Sequence, residues 1–383
     1  MIIPRLAESS LHRLLAGFPV VTVTGPRQSG KTTLVRAALS SKPYLSLESP
    51  GEREFAQSAP QDFLRRFPDG AVIDEAQRAP ALLSELQTMV DADGRMGLFV
   101  LTGSRNLSLL EGVTQSLAGR NGILELLPLS LAELRAEKLL PTQIDEVLLR
   151  GFYPALYVRP VTAYDWLQSY IVTYAERDAR QLRAIEDLNS FQRFLRLTAT
   201  RTGQLLNIAS LASDSGIAER TAREWLSILE TCYLIHYVRP HFKNFGKRLI
   251  KMPKLYFQDV GLAAALLGIQ TVEQVAAHPL RGALFETMVV NEFLKARRNA
   301  GRRDQLYFWR DNIGTEIDLV LEQGQALAAV EIKSGTRVAS DATVSLRKWE
   351  KYAGAMQTNL GVVYGGTEAY EREGVAMLPW LDL

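Results

Sequence analysis

Gly25-Pro26-Arg27-Gln28-Ser29-Gly30-Lys31-Thr32 fits the pattern G-x-x-x-x-G-K-[ST] at each fixed position. The chemistry is phosphate binding. Backbone N–H groups of a glycine-permitted loop wrap phosphate oxygens, and the N-terminus of the following helix adds partial positive charge. Lys31 reaches the β- and γ-phosphates, and the Thr32 hydroxyl is offered to Mg²⁺. The candidate nucleotide-binding residues are therefore Gly25, Pro26, Arg27, Gln28, Ser29, Gly30, Lys31, Thr32 and Thr33.

Hydrolysis needs acids beside that loop. Ala71-Val72-Ile73-Asp74-Glu75 is an apolar run ending in two carboxylates. Asp74 is placed to hold Mg²⁺, and Glu75 to polarise the attacking water. Leu98-Phe99-Val100-Leu101 is a third buried run, ending in Thr102-Gly103-Ser104. Thr102 or Ser104 either senses the γ-phosphate or makes the strand-end turn.

A second constellation lies near the C-terminus. Glu316 to Glu322 alternates as a half-buried strand, Gln323-Gly324-Gln325 is a turn, and Ala328 to Lys333 is the paired strand. Strand alternation puts Glu331 and Lys333 on one face, and a hairpin brings Asp318 beside them. Two carboxylates then bind a divalent metal while Lys333 positions or activates water, as in metal-dependent phosphodiesterases. Glu286, in the amphipathic run Leu284 to Leu294, is a further metal candidate. The competing readings are a domain of this kind that binds without cutting, or an unrelated hairpin.

The elements that position these groups follow from periodicity. Val20 to Thr24 reads as the strand entering the phosphate loop, and Thr33 to Leu39 as the helix leaving it. Residues 1–135 alternate strand and helix signals, which implies a parallel sheet with helices on both faces. Residues 136–202 read as a helical lid, broken at Gly151-Phe152-Tyr153-Pro154. Residues 203–258 read as helix, turn, helix and hairpin, the order of a winged helix. Its hairpin carries Arg239, Lys243, Lys247, Arg248, Lys251 and Lys254 with no Asp or Glu between. Such a stretch suits phosphate contact in DNA or RNA, with Arg239, Lys243, Lys247, Arg248 and Lys251 as the candidates. A solvated basic wing is the plainer alternative.

Composition narrows the class. With 47% hydrophobic and 22% charged residues, the chain has the make-up of a soluble globular protein. One cysteine, Cys232, excludes an internal disulfide framework. The four histidines show no ligand spacing, so any metal is expected on carboxylates. No apolar run is long enough for a membrane helix and no signal-peptide pattern is read, so the expected location is the cytoplasm, with no membrane partner.

Taken together, the chain resembles the prokaryotic AAA-family ATPases with a C-terminal domain of unknown function related to PD-(D/E)xK nucleases. The resemblance rests on GPRQSGKTTL, VIDEAQRAP, FVLTGS, LAGR, GFYPAL, KRLIKMPKLYFQDVGL, GALFETMVVNEF, WRDNIGTEIDLVLE and AVEIKSG. It implies an α/β fold: an AAA-type core (1–135), a helical lid (136–202), a winged helix (203–258) and a restriction-endonuclease-like domain (259–383). It implies ATP as the nucleotide, since the loop alone does not separate ATP from GTP. Arg120 stands where such ATPases keep an arginine finger for a neighbouring subunit, which implies a homo-oligomer, unless it is a surface arginine capping a helix end. DNA as the partner is expected from the two acidic sites and the basic stretch. Pro154 is similar to a nucleotide-touching proline of signalling-type relatives. The alternative reading is an ATP-dependent switch whose nuclease-like domain only binds DNA or protein.

Overall fold

The computed structural model describes residues 1–103, 117–175, 187–241, 252–302, 304–354 and 357–383. Its N-terminal sheet contains β1 (Val20–Thr24), β2 (Tyr44–Ser46), β3 (Val72–Asp74), β4 (Phe99–Thr102) and β5 (Asn121–Glu125). All pairings are parallel, in the order β2-β3-β4-β1-β5. Every residue of β1 is buried, as a strand covered on both faces must be. Alternation divides the neighbours. Ile73, Phe99 and Leu101 pack on the helices Pro60–Arg65 and Ala81–Asp93, whereas Val21, Val23, Val72 and Val100 pack on Glu8–Gly17 and Lys31–Ala38. The carboxyl ends of β1, β3 and β4 share one edge, where ligands of open parallel sheets bind.

Ser130 caps the helix Leu131–Ala136 in a reciprocal pair with Glu133. The helices Ile144–Arg150, Ala155–Val158, Ala163–Tyr170 and Leu188–Ala199 follow. Gly151 has φ +70°, and a Cβ there would lie 2.2 Å from Asp259 Oδ1. Asp259 also accepts the Phe152 N–H at 2.7 Å, which fixes the turn that carries Pro154.

Next come β6 (Gln204–Leu205), the helices Ile208–Ser215 and Glu219–Thr231, then β7 (Ile235–Pro240) and β8 (Lys254–Phe257). The C-terminal part contributes β9 (Leu306–Arg310), β10 (Glu316–Gln323), β11 (Ala326–Lys333), β12 (Thr358–Tyr364), β13 (Tyr370–Arg372) and β14 (Val375–Pro379). β7 joins β9 in parallel at Arg239↔Tyr307 and Pro240↔Phe308. A nine-stranded sheet, β13-β14-β12-β11-β10-β9-β7-β8-β6, therefore runs through both of the last two expected units. Its β10–β11 hairpin is the one read from sequence.

The helix Arg281–Asn299 ties this sheet to the N-terminal layer. Glu292 accepts the Leu131 N–H at 2.8 Å, and Lys295 Nζ donates to Leu129 O at 2.8 Å and to Glu292 at 2.7 Å. Arg298 pairs with Glu125 on β5 at 2.8 Å. Beside that pair is a cavity of about 150 Å³ lined in part by Tyr233, His236, Gln258 and Asp304. Both ring nitrogens of His236 are buried and lack a hydrogen-bond partner among the described residues. Burial, with Arg298 adding to it, pushes its pKa down to about 3. Because the folded value is depressed, this group's contribution is complete above the unfolded pKa near 6.5 and is lost as pH falls toward 3. Between pH 7 and pH 5 the protein is expected to lose up to about 2 kcal/mol through His236. His236→Phe should flatten that part of the stability–pH curve in urea titrations. An unchanged curve would contradict the assignment.

Candidate functional site

Gly25 and Gly30 have φ of 139° and 95°. A Cβ on Gly25 would lie 2.1 Å from Leu126 O, so this position needs glycine for both conformation and space. Arg5 braces the loop, donating to Ser29 O at 2.6 Å and pairing with Glu133 at 3.0 Å. Lys31 opens the helix Lys31–Ala38 and is buried, its Nζ donating to Gly25 O at 2.9 Å and Pro26 O at 2.7 Å. Burial lowers its pKa to about 8, against the opposing pull of Glu75 and Asp74.

The expected acids stand opposite. Asp74 closes β3, and both its oxygens lie 3.4 Å from the Thr32 hydroxyl. Tyr44 donates to Asp74 Oδ2 at 2.7 Å, and Thr102 at the end of β4 bonds Oδ1. Burial, then Asp74, raises the Tyr44 phenol, so it stays a donor. Glu75 follows in the left-handed region, φ 55°, and accepts from Gln77 Nε2 at 2.5 Å. Such a backbone is sparsely populated for a residue with a Cβ and is held by its surroundings.

Gly30, Lys31, Thr32, Asp74 and Glu75 line a cleft of about 370 Å³ that also includes Arg27, Gln28, Thr33 and Glu48. Pro154, Ala155, Val158 and Arg159, from the turn and short helix after Gly151, line it as well. A Cβ on Gly30 would lie 3.9 Å from Pro154 Cγ, which measures how near that turn comes to the loop. Arg5, Tyr44, Glu48 and Arg159 were missed in the sequence. Tyr44 had a signal, since Pro43-Tyr44-Leu45 sits one βα step after the loop; the others gave none.

The C-terminal candidates also come together. Asp318 Oδ2 accepts the Ile332 N–H at 2.8 Å and lies 4.0 Å from Lys333 Nζ. Lys333 pairs with Glu331 at 2.7 Å. Burial and the nearby Asp318 raise the pKa of both Glu286 and Glu331. Lys254 is a correction to the sequence reading. It is no wing cation: its side chain is 3% exposed, and Nζ lies 2.9 Å from Glu286, 2.6 Å from Glu316 and 3.6 Å from Asp318. The reason is its place at the head of β8, whose four residues are all buried.

Arg120 precedes β5 at the sheet edge away from the phosphate loop, paired with Asp91. Arg239 is exposed on β7. Ser104, Lys243, Lys247, Arg248 and Lys251 lie outside the described residues.

The uncharacterized protein Rv2008c of Mycobacterium tuberculosis is 31% identical to this chain over 369 residues, 96% of this chain and 81% of that one. Mb2031c of Mycobacterium bovis, also uncharacterized, has the same figures. This chain belongs to their family. Its residues 17–135 match a family model described as an AAA domain, and that stretch holds the whole phosphate loop, Asp74 and Glu75. The chain thus carries an ATPase-like AAA domain with a parallel-stranded P-loop core. Residues 141–273 and 281–383 match two domains of unknown function, DUF8612 and DUF4143. Among solved structures, a Walker-type ATPase of Pyrococcus abyssi is 18% identical, with a TM-score of 0.49, covering 69% of this chain and 96% of that one. The RuvB Holliday junction branch migration motor of Thermotoga maritima is 18% identical, with a TM-score of 0.29, covering 60% and 88%. Among the described residues no helix is long and apolar enough to cross a membrane.

Proposed function

We propose that this AAA domain drives an Mg²⁺-dependent ATP hydrolysis cycle that acts on DNA, and that the C-terminal domain holds its target rather than cutting it. The observation that carries the first part is the convergence of Lys31, Thr32, Asp74 and Glu75 on one lidded cleft. A hydroxyl and a braced carboxylate side by side fit Mg²⁺, so Thr32 and Asp74 are its holders. Held there, Mg²⁺ would supply positive charge to the transferred phosphate. Lys31 gives up the carbonyls of Gly25 and Pro26 to reach the phosphate oxygens. Glu75 takes the proton of the attacking water, and the lid turn at Pro154 moves with occupancy. Arg120, exchanging Asp91 for a neighbour's γ-phosphate, would serve as the finger of a homo-oligomer.

The DNA part is supported by the basic, acid-free stretch from Arg239 to Lys251. Labelled duplex and single-stranded DNA should bind with an affinity that falls steeply with salt. Replacing Lys243, Lys247, Arg248 and Lys251 together with alanine should make that slope shallower by up to about 0.9 per lost phosphate contact on duplex. Binding that is absent, or indifferent to salt, would remove DNA from the proposal. The second reading, an ATP switch acting on a protein partner, would then stand. Lys254 among the C-terminal acids supports a non-cutting domain under either reading.

A further inference from the structure

We propose that Lys254 is the resident cation of the C-terminal acidic cluster and takes the place a divalent metal would occupy. The inference rests on reading this domain as nuclease-like, and it explains why such a domain holds instead of cutting.

The acids come from separate elements: Glu286 from the helix Arg281–Asn299, Glu316 and Asp318 from β10, and Glu331 from β11. Period-two alternation puts Glu316 and Asp318 on one face of β10. Left alone, these carboxylates would repel one another and demand a cation. Lys254 supplies one from outside the C-terminal domain, through β8 of the hairpin. Its ammonium is 2.6 Å from Glu316 Oε1 and 2.9 Å from Glu286 Oε1. Remaining valences are filled as well. Tyr256, on the same strand, donates to Glu286 at 2.7 Å, Arg310 donates to Glu316 at 2.9 Å, and the Ile332 N–H holds Asp318. Phe308, its ring centroid 5.7 Å from Nζ, walls the ammonium in.

The arrangement does not fit a divalent ion. Mg²⁺ or Mn²⁺ must stand about 2.0–2.2 Å from carboxylate oxygens with several water ligands. The Lys254 ammonium already lies against Glu286, Glu316 and Asp318, Lys333 pairs with Glu331, and these charges oppose a further cation at contact range.

The test is Mn²⁺ binding by calorimetry on the full chain without nucleotide. Each protein is paired with its Asp318→Asn counterpart, so that Mn²⁺ at the phosphate loop cancels. Wild type and Asp318→Asn are expected to bind identically. Lys254→Met should gain a site at least about 100-fold tighter than anything in wild type, lost again in Lys254→Met/Asp318→Asn. Mn²⁺ should also raise the melting temperature of Lys254→Met alone. A wild-type site that Asp318→Asn removes would overturn the proposal, and so would a folded Lys254→Met that gains none. If Lys254→Met fails to fold, the wild-type pair still decides. The readout is metal occupancy and needs neither ATP nor DNA. A failed DNA-binding experiment would therefore leave this result standing, and a failure here would leave the ATPase reading intact.

Discussion

Glu75→Gln is expected to turn over ATP about 10²–10⁴-fold more slowly than wild type while still binding it. Glutamine keeps the shape of the side chain and its contact with Gln77, but it cannot take a proton from water. The residue follows the carboxyl end of β3, directly after the carboxylate that lies beside Thr32. Its left-handed φ of 55° turns the chain sharply after Asp74. One other carboxylate, Glu48, lines the same cleft. Glu48→Gln is the natural control, with a much smaller expected effect. Single-turnover hydrolysis beside equilibrium binding of a fluorescent ATP analogue separates the two roles. Near-normal turnover in Glu75→Gln with a deep loss in Glu48→Gln would reassign the base. Loss of nucleotide binding in Glu75→Gln would make the residue a pocket-shaping one.

Lys295→Met is expected to destabilise the protein by about 3–5 kcal/mol. Lys295 and Glu292 are 1% and 4% exposed, so their pairing is buried and the survivor is stranded in a poor dielectric. The lysine also caps Leu129 O and lies 3.5 Å over the Phe152 ring. The damage should therefore reach the joint between the AAA domain and the C-terminal sheet. Lys295→Met/Glu292→Gln should recover much of the loss, because no charge is then left unpaired. Burial already raises the Glu292 pKa. A raised folded pKa stabilises below the unfolded value and is lost as pH rises. The single variant should therefore be less impaired at acid pH than at neutral pH. Denaturation midpoints of the four proteins at two pH values check this. Equal loss in the single and double variants would show that packing, not charge, decides the joint.

Much of the nucleotide cleft was legible because its signals are local. A glycine loop between a buried strand and a helix allows few geometries, and Asp74-Glu75 ends an apolar run. The strand β2 was harder: three residues, half-buried at its ends, carry almost no periodicity. The β10–β11 hairpin was legible by alternation, and the same alternation places Glu316 with Asp318. What sequence did not show was the destination of Lys254. A lysine after an acid-free basic stretch reads as a surface cation. Only pairing of β7 with β9 carries the hairpin into the C-terminal sheet and brings that lysine to the acids. The signal was the buried character of Leu255-Tyr256-Phe257 immediately after it. The Val344–Ala353 helix and β12 to β14 were missed as well. Trp349 of that helix packs in one cluster with Leu360 and Val362 of β12 and Val375 and Met377 of β14, a tertiary contact that local pattern does not carry.

The most direct test of the central claim is steady-state ATP hydrolysis, first without polymer and then with single-stranded, duplex and branched DNA, with Lys31→Ala as the blank. Stimulation by one DNA form, abolished in Lys31→Ala, is the expected result and would name the substrate. A wild-type rate unchanged by every DNA form would contradict the account and leave an ATP-dependent switch acting on a protein partner.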